Sequence, residues 1–237
     1  DGAYKMSDPL SGVWSAAVTP LHDDLTVNLD AMVAHHKWLL SNGCDGVAVL
    51  GTTGEGNSFS VKERLDVIAA AASSGITKGQ LLIGTGCCAP TDTIELTQAA
   101  LDAGLTQVLM LPPFYYKGVS EDALFASFDH IIQKLADDRL RIVVYDFPLM
   151  TGLDISVDLL VRLNKAYPNT VVGVKDSSGN WPAMQAVIQA IPGFRMFAGT
   201  EQYLLADLQA GGAGCITATG NATSNLCQAV YSAHLAG

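Results

Sequence analysis

The sequence predicts a (β/α)8 barrel, a TIM barrel of the α/β class. Three observations point there. Eight short apolar stretches lack period-two alternation, helical patterns fall strictly between them, and turn residues mark most junctions. Non-alternating apolar strands are expected where a parallel sheet is buried on both faces. Right-handed crossovers join such strands, and eight units close a barrel. A length of 237 residues suits one barrel domain, over residues 6–237. Residues 1–5 precede Met6 and read as foreign to the natural chain.

The elements follow in order. Strand 12–18 ends in Thr19-Pro20, and Asn28 suits the N-cap of a helix through Leu40 that stops near Asn42-Gly43. Strand 45–50 runs straight into the loop Gly51-Thr52-Thr53-Gly54-Glu55-Gly56. Ser60 and Glu63 form a capping box for a helix to about residue 74. Strand 80–83 ends at Gly84-Thr85-Gly86. Thr91 is expected to cap the next helix, which Gly104 closes. Strand 107–111 is broken by Pro112-Pro113, and Phe114-Tyr115-Tyr116-Lys117-Gly118 follows as a loop. Ser120 caps a helix carrying Leu124, Phe128, Ile131, Ile132 and Leu135. Strand 141–145 leads into Asp146-Phe147-Pro148, and a helix over 156–167 follows. The sixth strand runs from Val171 to Lys175. Helix 181–191, strand 194–198, helix 203–210, strand 213–218 and helix 224–235 complete the chain.

Composition excludes several functions. Hydrophobic residues make up 49% and charged ones 15%, which argues for a large core and against disorder. The net charge is −10 and the thirteen basic residues are scattered, so nucleic acid and anionic membrane are poor partners. No apolar run reaches the roughly 18 residues of a membrane span, and no signal-peptide pattern opens the chain. Five cysteines, an odd number without zinc spacing, favour a reducing, cytoplasmic location. His22, His35, His36, His130 and His234 show no ligand spacing, so no metal is expected. The Gly84-Thr85-Gly86-Cys87-Cys88-Ala89 run has dinucleotide-type spacing. No acid closes the following strand to hold a ribose, and turn glycines at a barrel rim are the plainer reading.

Chemistry collects at the C-terminal ends of the strands, where barrel enzymes keep their active face. Thr52 and Thr53 follow strand two, Tyr115 and Tyr116 follow strand four, Tyr145 ends strand five and Lys175 ends strand six. Neighbouring strands lie about 4.8 Å apart. With matched registers, Tyr145 and Lys175 are neighbours at one depth. A desolvated lysine amine attacks carbonyl carbon to form a Schiff base, and a phenol beside it moves protons. Hydroxyls and loop amides can hold a carboxylate. The plainer alternatives are a strand-end lysine reaching solvent or an acid, a packing tyrosine, and a tight Gly-Thr-Thr-Gly turn. A phosphate cup from Gly199-Thr200 and Gly211-Gly212-Ala213-Gly214 is a further option, although no basic residue lies close in sequence.

At these residues the chain resembles the dihydrodipicolinate synthase / N-acetylneuraminate lyase family of pyruvate-dependent class I aldolases. Gly51-Thr52-Thr53-Gly54-Glu55, Pro113-Phe114-Tyr115, Tyr145-Asp146-Phe147-Pro148, Gly173-Val174-Lys175-Asp176 and Gly211-Gly212-Ala213-Gly214-Cys215-Ile216 match its motifs in order. The resemblance implies that Lys175 forms an imine with pyruvate and that Tyr145 shuttles protons. Thr53, with amides of the loop that opens at Gly51, would bind the pyruvate carboxylate. Thr52 and Tyr115 would complete a relay with Tyr145, and Tyr115 can come from a neighbouring subunit. The Ile216 carbonyl would line the pocket. No cofactor is implied beyond the covalent imine, and the assembly would be a homotetramer, a dimer of dimers.

One departure bears on substrate. The lysine-pathway synthases carry an arginine shortly after the Y-N-x-P motif, for the aldehyde's carboxylate, and Met150 stands at that place here. Methionine cannot pair a carboxylate. That shifts the expectation to aldol cleavage of a 2-keto-3-deoxy sugar acid. The alternatives are 4-hydroxy-tetrahydrodipicolinate synthase, an imine-dependent dehydratase and a non-catalytic binder. The family's usual C-terminal helical extension is also absent from this sequence, and Asp146 replaces its usual asparagine.

Overall fold

The computed structural model describes residues 10–237, so the expectation for residues 1–5 lies outside it. Eight strands form a closed barrel in sequence order. They are β1 (Gly12–Ala16), β2 (Gly46–Val49), β3 (Leu81–Gly84), β4 (Gln107–Met110), β5 (Arg141–Asp146), β6 (Val171–Asp176), β7 (Arg195–Ala198) and β8 (Gly214–Thr217). Each pairs in parallel with the next, and β8 closes on β1. The helices are α1 (Leu29–Ser41), α2 (Val61–Ser73), α3 (Pro90–Asp102), α4 (Glu121–Leu135), α5 (Pro148–Thr151), α6 (Val157–Ala166), α7 (Trp181–Ala190), α8 (Leu204–Ala210) and α9 (Gly220–Ala236).

The strands form because both of their faces are buried. Trp14, Ala48, Leu82, Leu109, Val143, Tyr145, Phe197 and Ile216 fill the barrel interior. The alternate residues turn outward and pack against the helices, as Val13, Val108, Val144 and Val174 do. Three helix starts follow their expected caps. Asn28 and Ser120 accept from the amides of Ala31 and Ala123, and Ser60 with Glu63 makes both bonds of a capping box.

Two expectations are corrected. Thr91 does not cap α3. The N-cap is Ala89 and Pro90 takes the first helical position, where a missing N–H costs nothing. The Thr93 hydroxyl accepts from the Cys87 amide at 2.9 Å instead. Between β5 and α6 the structure adds the single turn α5, opened by Pro148 and ended by Gly152 at φ 64°. The last helix starts four residues before the expected 224 and bends at Thr223, so the expected start marks the kink. Gly84 and Gly86 are close-approach glycines: a Cβ would stand 2.3 Å from the Leu50 carbonyl oxygen and 2.4 Å from the Leu111 nitrogen. Among the described residues, no helix is long and apolar enough to cross a membrane.

Candidate active site

The register of β5 and β6 pairs Tyr145 with Lys175. Both side chains are 3% exposed at the C-terminal end of the barrel. The Lys175 Nζ donates to the Tyr145 hydroxyl at 3.3 Å and lies 4.4 Å from the centroid of its ring. The same hydroxyl is 3.3 Å from Thr52 Oγ1. An amine, a phenol and an alcohol from β6, β5 and the β2 loop thus form one chain. None of the described ion pairs involves Lys175.

The loop after β2 holds Thr52 by its own hydrogen bonds. Leu50 and Glu55 adopt left-handed conformations at φ 60° and 55°. The Glu55 amide donates to the Thr52 carbonyl at 3.0 Å and the Gly56 amide to the Gly51 carbonyl at 3.1 Å. Thr19 Oγ1 donates to the Gly54 carbonyl at 2.6 Å, which ties the loop to the segment after β1. Two left-handed residues in one short loop are uncommon outside glycine and mark a conformation the surroundings enforce.

Asp146 and Asp176 come next on the same two strands and are also buried. Asp176 Oδ1 accepts from the amide and hydroxyl of Ser178, at 2.8 and 2.6 Å. Asp146 Oδ1 accepts from the Ile155 amide at 3.3 Å. Burial, and then the neighbouring Asp176 charge, push the Asp146 carboxyl up to about 7. Burial also raises Asp176, against its two bonds from Ser178.

Two adjoining spaces border these groups. A tight well of about 10 Å³ is lined by Gly51, Arg64, Gly84, Gly86 and Tyr145 among others, room for about one water. A larger chamber of about 270 Å³ lies beside it and shares Asn57 and Leu111. Thr52, Glu55 and Ser58 line it from the β2 loop, Phe114 from the β4 loop, and Met150 and Thr151 from α5. Its lining therefore carries one carboxylate, several neutral polar groups and no lysine or arginine.

The expected site residues divide. Lys175, Tyr145 and Thr52 come together. Gly51 lines the well and Met150 the chamber. Ile216 is buried on β8 opposite Trp14 in the interior cluster. Thr53 follows Thr52, half-buried. Tyr115 does not join the relay within this chain. It is 72% exposed and packs edge-on against Tyr116, ring centroids 5.2 Å apart.

The phosphate cup is overturned. The Asp207 carboxylate accepts from the Gly214 amide at 2.9 Å, and the Asp207 carbonyl takes the Gly212 amide. The Gly199 amide is spent on the Asp176 carbonyl at 2.7 Å.

Sequence reasoning missed Glu55, Asn57, Ser58, Phe114 and Thr151 as lining residues. The run of polar residues after Gly54 was the available signal. Arg64 carried no signal, since an arginine in a helix ordinarily reads as exposed. It is 4% exposed and donates to the Gly84 carbonyl at 2.9 Å and to the Cys87 sulfur at 3.0 Å.

Known proteins resemble this chain over nearly its full length. It is 36% identical to an uncharacterized DapA-like lyase of Chloroflexus aurantiacus, over 96% of this chain and 76% of that one. A dihydrodipicolinate synthase structure from Agrobacterium tumefaciens matches at 37% identity with a TM-score of 0.89, covering 92% of this chain and 76% of that one. The pyruvate complex of YagE, a prophage protein of the dihydrodipicolinic acid synthase family from E. coli, matches at 27% identity and a TM-score of 0.90, over 96% and 76%. The Dihydrodipicolinate synthetase family profile spans residues 9–237. By profile, identity and barrel alike, the chain belongs to the Dihydrodipicolinate synthetase family and is an enzyme of its lyase and synthase kind.

Proposed function

We propose that the protein is a pyruvate-dependent class I aldolase whose Lys175 forms an imine, and that it cleaves a 2-keto-3-deoxy sugar acid to pyruvate and an aldehyde. The observation that carries the chemistry is the buried Lys175 amine bonded to the Tyr145 phenol at 3.3 Å, with no carboxylate partner among the described ion pairs. The amine lone pair adds to the C2 keto carbon, and loss of water leaves the imine. The C3–C4 bond then breaks. Its electron pair enters the imine to give an enamine, and the C4 hydroxyl loses its proton as the aldehyde forms. Tyr145, bonded to both Lys175 and Thr52, takes that proton and returns one to C3. Water hydrolyses the imine and frees pyruvate and the amine. On this reading Thr53 and the amides after Gly51 hold the substrate carboxylate and the Ile216 carbonyl borders the pocket. No cofactor enters these steps.

The chamber lining supports the substrate class. An acceptor bearing a carboxylate would meet Glu55 and no cation, whereas hydroxyls find Glu55, Asn57, Ser58 and Thr151. The second reading is a 4-hydroxy-tetrahydrodipicolinate synthase, favoured by the Agrobacterium tumefaciens protein and by a synthase of Rhizobium meliloti at 33% identity. The exposed Tyr115–Tyr116 pair supports assembly into a dimer of dimers in which Tyr115 reaches another subunit's site. Five free cysteines support a cytoplasmic location, and the closed eight-strand barrel supports reading the described residues as one domain.

The test is intact mass after incubation with pyruvate and borohydride, on the natural sequence and on Lys175→Ala. A reduced pyruvate adduct that the variant lacks supports the mechanism. A folded natural protein without an adduct overturns it. Pyruvate consumption only with aspartate semialdehyde would move the second reading to the front.

A further inference from the structure

Lys117 sits in the loop after β4, outside the set of residues given chemical roles above. Its Nζ donates to the carbonyl of Phe114 and, at 2.6 Å, to the carbonyl of Thr151 on α5. Phe114 and Thr151 both line the outer chamber, and they belong to different elements. The lysine stem runs along Gly152. A Cβ there would stand 3.0 Å from Lys117 Cδ and 3.2 Å from Cε. The hydrogen bonds and the bare glycine surface are separate features that fit one arrangement. None of the described ion pairs includes Lys117, so its charge is directed at main-chain oxygens.

The turn α5 needs such support. It has four residues, and its inner bonds are the amides of Met150 and Thr151 donating to the Phe147 carbonyl. A single turn is marginal without tertiary contacts. Yet α5 supplies Met150 and Thr151 to the chamber. A lysine in an aromatic-rich loop reads in sequence as surface charge, which hides this link.

We propose that Lys117 is a positioning residue for the aldehyde half of the substrate, a clasp that sets the β4 loop and α5 at the spacing the acceptor requires. It takes no part in imine formation. The identity of the occupant rests on the Lys175 imine reading, while the clasp itself does not.

The experiment compares Lys117→Met, Lys117→Arg and Gly152→Ala with the natural protein. Three quantities are read: the rate of borohydride trapping with pyruvate, KM and kcat for condensation of pyruvate with glyceraldehyde, and amide hydrogen exchange over residues 114–118 and 147–153. Lys117→Met is expected to raise the glyceraldehyde KM about tenfold, in line with loss of a charge-assisted bond. Trapping stays unchanged and exchange quickens in both segments. Lys117→Arg, which keeps charge and reach, restores most of the KM. Gly152→Ala shifts KM in the same direction as Lys117→Met, because its methyl crowds the lysine stem and strains the left-handed end of α5. Unchanged exchange in Lys117→Met overturns the clasp. A KM unmoved, or trapping slowed as much as condensation, overturns the acceptor role. So does a protein that traps pyruvate but condenses it with no glyceraldehyde. If the natural protein traps no pyruvate, the imine reading fails, and exchange still decides the clasp.

Discussion

Asp207 is fully buried on α8, with Oδ2 accepting from the Gly214 amide at 2.9 Å and Oδ1 without a partner among the described residues. Burial raises its carboxyl from 3.8 to about 7, against that one amide bond. Between those two values the folded protein holds a proton that the unfolded chain has released. Stability tied to this group is therefore complete below about pH 4 and is lost as pH rises towards 7. Three pH units at about 1.4 kcal/mol each set a ceiling of about 4 kcal/mol, of which about 2.5 falls between pH 5 and pH 8. Asp146, also raised to about 7, acts in the same direction. Urea unfolding at pH 5 and pH 8, on the natural protein and on Asp207→Asn, isolates the Asp207 share. The amide oxygen of asparagine can still accept from Gly214. The natural protein is expected to lose about 2–3 kcal/mol more than the variant across that interval. Equal losses in the two proteins would refute the assignment, because Asp207 would then titrate alike folded and unfolded.

Tyr145→Phe removes the hydroxyl shared by Lys175 and Thr52, and steady-state kcat is expected to fall about 10²–10⁴-fold. A pyruvate adduct should still form on Lys175, so mass after borohydride separates loss of the shuttle from loss of the nucleophile. Met150→Arg places a guanidinium at the chamber mouth, where Met150 is 59% exposed. It should raise kcat/KM for a carboxylated aldehyde about tenfold or more, with glyceraldehyde as the reference. No gain would mean that the acceptor does not bind beside α5.

The barrel was legible because its strands are buried on both faces and its helices announce their starts. Asn28, Ser60 and Ser120 cap where their spacing indicates. The inner site was legible for the same reason. Tyr145 and Lys175 end apolar strands, so placing the strands placed them. The outer chamber was not legible, because no period governs a loop. Glu55 depends on a left-handed turn, α5 on a proline and a glycine four residues apart, and Lys117 on a contact 34 residues away. Thr91 misled because a threonine beside a proline satisfies the cap pattern, whereas the proline takes the first helical position.

The freedom of the Lys175 amine depends on one irregularity in the barrel. Both strands carry an aspartate immediately after the residue that faces the site, and an acid beside the ammonium would hold it as an ion pair. At the start of the pairing, Ile142 lies opposite Val171. The next pair is Val143 with Gly173, so Val172 is an extra residue on β6. Without that shift the pairing would continue as Val143 with Val172, and Asp146 would come opposite Lys175. With it, Tyr145 meets Lys175 and Asp146 meets Asp176 one step beyond. Strand alternation then turns the two acids away from the interior face that carries the amine and the phenol. A bulge that re-aims side chains next to an active site is a recurrent device. Here it decides whether the buried lysine faces a carboxylate or the Tyr145 phenol.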